Sequence, residues 1–363
     1  MRAVVLVGGE GTRLRPLTLT TPKQMLPVAG VRMIERVVGH LARHGVDEAI
    51  LSLGYRPDAF LAAFPRSEID GVALVYATEP EPLDTGGAIG FAAGRAGMDD
   101  TFLVVNGDVL TDVDVSELLA FHRRRGARAT ISLTPVDDPS VFGVVPTEAS
   151  GRVTAFIEKP PVGEAPTNLI NAGTYVMEPG VLEAIVPGRR VSVEREVFPS
   201  MVAAGELFAL ASDAYWIDAG TPAQLTRASL DLIDGTRSGP PFASAVEASP
   251  GVWAADRVGA DELAAHPGVR GPCLVGARTT LGTGAEVASS VIGSDCQLGS
   301  GAKVIGSVLL DGVRIGAGAV VADCVIGFGA VVGSGADLSA GCVLGDRVEV
   351  GVGQRRAGEK VGS

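Results

Sequence analysis

Two domains of different class are predicted from this chain: an α/β domain with a mixed, mostly parallel sheet, then a parallel β-helix. Three observations lead there. Of 363 residues, the first 250 hold 20 of the 22 prolines, while the last 113 hold 24 of the 49 glycines. The first part alternates apolar runs with helical spacing, the pattern of βαβ units. The last part repeats an aliphatic residue every six positions, which neither a membrane span nor a low-complexity glycine tract explains.

The elements follow in order. Ala3–Val7 is an apolar strand running into glycines. Ile34, Val37, Val38 and Leu41 follow helical spacing, and Gly45 offers a stop. Ala49–Leu53, Val72–Tyr76 and Phe102–Val105 read as strands, the last ending in Asn106-Gly107-Asp108. Val115–Arg125 reads as a helix with Leu118, Leu119 and His122 on one side. Asn168–Ile170 and Thr174–Met177 read as two strands joined by a turn. Residues 1–234 form the first domain, and the loose stretch 235–272, opening with Gly235-Thr236-Arg237-Ser238-Gly239-Pro240-Pro241, has a linker's composition. From 273 to 353 the beat is regular: Val275, Leu281, Val287; Ile292, Leu298, Val304; Leu309, Ile315, Val321; Ile326, Val332, Leu338, each set following the last after a step of five. Three short strands per coil bury that aliphatic row only when coils stack. The polar tail 354–363 is expected to fray.

Composition narrows the function. Lys and Arg number 30 against 42 Asp and Glu, a net charge of −12. That balance disfavours a coat for nucleic acid or an anionic membrane. No uncharged run exceeds 13 residues, too short for a membrane-spanning helix, and the N-terminus lacks a signal peptide's apolar core. The four cysteines, Cys273, Cys296, Cys324 and Cys342, form no C-x-x-C pair and read as buried thiols in a reducing cytoplasm. Four histidines leave little room for Ser-His-Asp chemistry, and His40 with His44 reads as a helix end.

The most informative string follows the first strand: Leu6-Val7-Gly8-Gly9-Glu10-Gly11-Thr12-Arg13-Leu14-Arg15-Pro16-Leu17. Glycines there let backbone N–H groups approach phosphate, and a cation follows to neutralise it. Leu14 stands where a dinucleotide fingerprint needs its third glycine, and no GK[ST] follows for a P-loop. With Thr21-Pro22-Lys23 and Met25-Leu26-Pro27-Val28, the string resembles the signature of the nucleoside-diphosphate-sugar pyrophosphorylases. Leu14–Thr18 is most similar to the mannose-1-phosphate guanylyltransferase branch. The resemblance extends to the whole chain and implies a Rossmann-like nucleotidyltransferase sheet followed by a left-handed β-helix of hexapeptide repeats.

That resemblance implies in-line nucleotidyl transfer: GTP and mannose 1-phosphate give GDP-mannose and pyrophosphate. Arg13 would meet the β- and γ-phosphates, and Lys23 the triphosphate and the transition-state charge. Leu6, Gly8, Gly9, Gly11, Thr12 and Gly107 would line the nucleotide. Asp84, Thr85 and Gly86 fall in the base-recognition loop. Asp108 and Asp218 would hold Mg²⁺, Glu158 and Lys159 the sugar and its phosphate, and Asn171 and Gly173 a second sugar contact. The chain departs from the family pattern at Asp84, where many mannose-specific relatives carry Gly, and at Gln24, where proline is usual. The same chemistry on a cyclitol 1-phosphate, or on glucose 1-phosphate with another nucleotide, is the alternative. A non-catalytic regulatory subunit fits less well, since Arg13, Lys23, Asp108 and Asp218 are all present. Acyl transfer in the β-helix fits poorly, because its repeat holds no histidine. The small-molecule partners are thus a nucleoside triphosphate and a sugar-like 1-phosphate, with homo-oligomerisation expected through the β-helix.

Overall fold

The computed structural model describes residues 1–54, 57–237 and 240–362. Ser238 and Gly239 of the expected linker, and Ser363 of the expected tail, lie outside them. The chain divides into two compact units, each built from two stretches of sequence: Met1–Gly9 with Ile34–Asp218, and Glu10–Met33 with Ala219–Ser363.

The first unit carries β1 (Arg2–Leu6), α1 (Met33–Arg43, from Ile34), β2 (Glu48–Leu53), β3 (Val72–Thr78), α2 (Asp84–Arg95), β4 (Phe102–Asn106), β5 (Val109–Thr111), α3 (Val115–Arg125), β6 (Ala129–Pro135), β7 (Leu169–Met177), α4 (Phe198–Ala204), β8 (Leu207–Ala211) and β9 (Trp216–Asp218). Strands β3, β2, β1 and β4 lie side by side and parallel. Beyond β4 the sheet turns mixed, because β7 runs antiparallel to both β4 and β6, while β8 joins β6 in parallel. The central strands are buried on both faces and therefore read as unbroken aliphatic runs rather than alternating ones. Ile34, Val38 and Leu41 of α1 are buried at the predicted spacing, and Asp114 caps α3 by accepting from the Glu117 amide at 3.0 Å.

One expectation fails here. Asn171-Ala172-Gly173 is no turn between two strands but an irregularity within β7, where its register with β6 shifts between Asn171 and Tyr175. Both flanks pair with the same neighbour, so the chain bulges without reversing.

The second unit is a parallel coil with three ladders. One runs through Thr280–Leu281, Gln297–Leu298, Arg314–Ile315, Val331–Val332 and Glu349–Val350. The six-residue beat appears as the buried row: Val287, Ile292, Leu298, Val304, Leu309, Ile315, Val321, Ile326, Val332 and Leu338 share one core, with Leu281 packed against it. Glycine recurs at the corners because successive coils stack backbone on backbone. A Cβ on Gly316 would collide with the Ser334 backbone nitrogen. All four cysteines are buried free thiols. Burial pushes those of Cys273, Cys296 and Cys324 up to about 12.

The boundaries expected from composition move. The stretch read as linker contains strands Val246–Ser249 and Val252–Ala254 and the helix Arg257–Ala264. Val252–Ala254 pairs in parallel with Cys273–Val275, so coiling begins before residue 273. The stretch expected to fray carries Arg355–Ala357 and Lys360–Val361, which continue two ladders. Polar side chains gave the impression of a loose tail, but backbone hydrogen bonds hold it.

Candidate active site

Within the first unit the carboxyl ends of β1 and β4 lie side by side, with Leu6 paired to Asn106. The Gly107 amide donates to the Leu6 carbonyl at 2.9 Å, bringing the turn Gly107-Asp108 beside the start of the glycine loop. Gly8 and Gly9 face open space, and Gly9, at φ +101°, holds a backbone conformation that side chains rarely adopt.

Asp218 arrives by pairing. It ends β9, which runs antiparallel to β5 with Asp218 opposite Val109, the residue after Asp108. Two half-buried carboxylates are thereby brought to neighbouring positions of one sheet edge. Their oxygen donors suit a hard cation such as Mg²⁺, which takes one or two protein carboxylates and fills its remaining positions from phosphate and water. Asp218 does not cap the following helix, α5 (Pro222–Asp231): Thr221 does, accepting from the Gln224 amide.

Across from β4 lies the bulge in β7. A Cβ on Gly173 would stand 2.6 Å from Asn106 Nδ2 and 2.9 Å from its Cγ, and φ there is +74°. Asn171 is fixed twice: its Oδ1 accepts from the Gly173 amide at 2.9 Å, and its Nδ2 donates to the Tyr175 hydroxyl at 2.8 Å. Trp216 donates from Nε1 to the Ala172 carbonyl at 2.9 Å and packs edge-on against Phe142 at 5.5 Å. Tyr175 is fully buried; burial first, then the charges of Glu194, Glu158 and Asp108, hold its hydroxyl well above the usual phenol range. Those charges thus disfavour loss of its proton.

Glu158 lies at the sheet edge, and Lys159 follows it at φ +50°, an uncommon backbone for a side-chain-bearing residue. The Lys159 amide donates to the Phe142 carbonyl at 3.0 Å. Its ammonium stands 3.5 Å from Glu158 Oε1 and is largely exposed. A residue in an uncommon backbone conformation that presents an exposed cation suits anion binding.

The expected base-recognition loop is the head of α2. Asp84 is exposed at φ +63°, a value that glycine adopts freely and that aspartate tolerates better than most residues. The Gly86 and Gly87 amides both donate to the Val191 carbonyl, at 2.8 and 3.0 Å. Thr85 Oγ1 donates to Glu194 Oε2 at 2.6 Å, and Ser192 Oγ donates to the same oxygen at 2.9 Å. Gly86 thus serves the close approach of the 189–193 segment. Glu194 is not among the residues expected from the sequence, where its charge is the only local signal. Tyr175 and Phe142 are likewise missed, because nothing local distinguishes them from core residues, while Asn106 is noted only as part of the turn Asn106-Gly107-Asp108.

Gly11, Thr12, Arg13 and Lys23 belong to the second unit. Gly11, at φ +59°, lies against Thr18 and Lys23, whose Cγ2 and Cβ would stand 2.9 and 3.3 Å from an added Cβ. Thr12–Leu14 follows as one tight helical turn, with Thr12 and Arg13 exposed over a fully buried Leu14. Lys23 is buried, only 7% exposed. Among the described residues no cluster of three or more His, Cys, Asp or Glu is shaped for a metal ion.

Residues 2–235 match the family model described as nucleotidyl transferase. The chain belongs to that family. Residues 258–355 match the EIF2B subunit epsilon LbH domain, which makes the parallel coil a left-handed β-helix. A mannose-1-phosphate guanylyltransferase of Mycobacterium tuberculosis is 46% identical over 66% of this chain and 66% of its own length. The catalytic subunit beta of the Dictyostelium discoideum enzyme of that name is 38% identical over 61% and 62%. The matched stretch thus spans just under two-thirds of these relatives. Among solved structures, HddC from Yersinia pseudotuberculosis, also solved complexed with GMP-PN, aligns at 30% identity. Its TM-score is 0.55, over 63% of this chain and 97% of that one. Family members carry out nucleotidyl transfer, and no helix among the described residues is long and apolar enough to cross a membrane.

Proposed function

We propose that this chain is a sugar-1-phosphate nucleotidyltransferase, with GTP and mannose 1-phosphate as substrates and GDP-mannose and pyrophosphate as products. The observation that carries the reading is the β5–β9 pairing, which sets Asp218 opposite the neighbour of Asp108, just past the end of β4, the parallel neighbour of the strand that leads into the glycine loop. The guanine and mannose assignments rest on the relatives. A phosphate oxygen of the sugar 1-phosphate attacks the α-phosphorus of the nucleotide; the new P–O bond forms as the bond to the β-phosphate oxygen breaks and pyrophosphate leaves. A phosphate monoester is already anionic, so no strong base is needed, and catalysis is positioning with charge stabilisation.

Arg13 and Lys23 neutralise the triphosphate, and Lys159 anchors the sugar phosphate. Gly8 and Gly9 admit the phosphates close to the backbone, and Asn171 and Glu158 face the sugar hydroxyls. Asp108 and Asp218 would hold Mg²⁺, whose charge would offset that growing on the α-phosphate. A cytoplasmic location and a homo-oligomer joined through the β-helix belong to the same reading.

The test is pyrophosphate release by the purified protein with Mg²⁺, crossing the common nucleoside triphosphates with mannose 1-phosphate, glucose 1-phosphate and a cyclitol 1-phosphate. A dominant signal for GTP with mannose 1-phosphate is expected. Dominance of another pair would retain the chemistry and replace the substrate, and silence across the grid would overturn the reading. Asp108→Asn and Asp218→Asn should each lose more than ~10²-fold in kcat, the scale of one strong electrostatic contact.

A further inference from the structure

The second unit brings the signature loop together with the last coil of its own β-helix. Lys360 donates from Nζ to the Arg13 carbonyl at 2.9 Å. Asp346, half-buried at a coil corner, accepts on Oδ2 from the hydroxyls of Thr20 and, at 3.5 Å, Thr21. Its other oxygen accepts from the Phe328 amide at 3.0 Å, so the carboxylate is itself anchored to the coil beneath. Between these polar contacts Pro16 lies over the corner glycines: a Cβ on Gly345 would come 3.2 Å from Pro16 Cβ, and one on Gly362 3.5 Å from the same atom. Two charged side chains and an apolar step therefore grip both ends of the stretch from Arg13 to Thr21.

We propose that Lys360 and Asp346 are positioning residues for nucleotide binding, acting through the loop that carries Arg13. The grip is on the loop's backbone and hydroxyls. A triphosphate cation that swings freely loses the preorganisation on which its effect depends, because ordering it must then be repeated with every substrate bound. The β-helix on this view supplies part of the active site's rigidity from the far end of the sequence. The kinetic half of the inference rests on the proposed reaction; the structural half does not.

The test uses the full chain and two conservative changes, Thr20→Val and Lys360→Met, singly and together, with Lys360→Arg as the rescue. Amide hydrogen exchange is followed by mass spectrometry in the peptide covering Thr12–Thr21. The double variant should exchange about tenfold faster there, the scale of one lost charge-assisted hydrogen bond, with the sheet and early coils unchanged. Its kcat/KM for the varied nucleotide should fall about 5–10-fold while KM for the sugar phosphate holds, and Lys360→Arg should recover most of the loss. Unchanged loop exchange would overturn the proposal. So would faster exchange with unaltered nucleotide kinetics, or a loss shared equally by both substrates. Wild-type protein silent on every substrate would instead refute the proposed reaction, and exchange alone would then decide whether the coil holds the loop.

Discussion

His40 shows how a single buried side chain ties stability to acidity. It lies on α1, buried, with its Nε2 at 3.0 Å from the Val113 carbonyl. Burial first, then the neighbouring His44 and Arg43 charges, lowers it to about 4. The unfolded chain binds a proton near the ordinary value of about 6.5, so between those limits the unfolded state holds more protons and stability falls as pH falls. The loss attributable to this residue reaches about 3 kcal/mol by pH 4. Urea unfolding at pH 7 and pH 4.5 should show it, and His40→Gln should flatten the difference. Sequence alone shows the His40-x-x-x-His44 spacing and the helix end; it does not show which of the two histidines is buried.

Strands and coils obey rules that composition records unevenly. The aliphatic beat of the β-helix was fully legible, because a side chain that must point inward every sixth residue leaves a periodic trace. The corner glycines leave the same trace for a different reason: they clear the backbone of the next coil. Gly316→Ala should therefore cost about 1–3 kcal/mol, the price of overpacking, seen as a lower denaturant midpoint. The bulge at Ala172-Gly173 was not legible. Asparagine and glycine signal a change of direction, and only the shared partner β6 reveals that the strand continues. The carboxylates Asp108 and Asp218 were legible from the family string, whereas Glu194 was not, since its hydrogen bonds from Thr85 and Ser192 span 109 and 2 residues and no local spacing encodes the longer one.

For the whole molecule, the division of the chain departs most from a linear reading. Glu10–Met33 belongs with Ala219–Ser363, so a cut near residue 235 does not separate the two compact units. Inside the second unit the Ala29 amide donates to Ser229 Oγ at 3.3 Å, and Gly30 packs against Phe242 and Leu274. A fragment ending at Asp234 keeps the first of these contacts and loses the others, together with Asp346 and Lys360. It should unfold at lower temperature than the full chain and show rapid proteolysis within residues 10–33, read by limited digestion and mass spectrometry. Composition placed a boundary at the proline-rich stretch because it records local stiffness; it holds no record of contacts made across 200 residues or more.

The contact between Lys360 and Arg13 also sets a schedule. Arg13 is synthesised 347 residues ahead of Lys360. At about 5–20 residues per second, the ribosome takes roughly 17–70 s to cover that distance. Throughout that interval the nascent chain already contains every residue of the glycine loop, yet not the lysine that holds the Arg13 carbonyl. If the proposed role holds, a chain stalled before Lys360 emerges with Arg13 already made and this contact still missing.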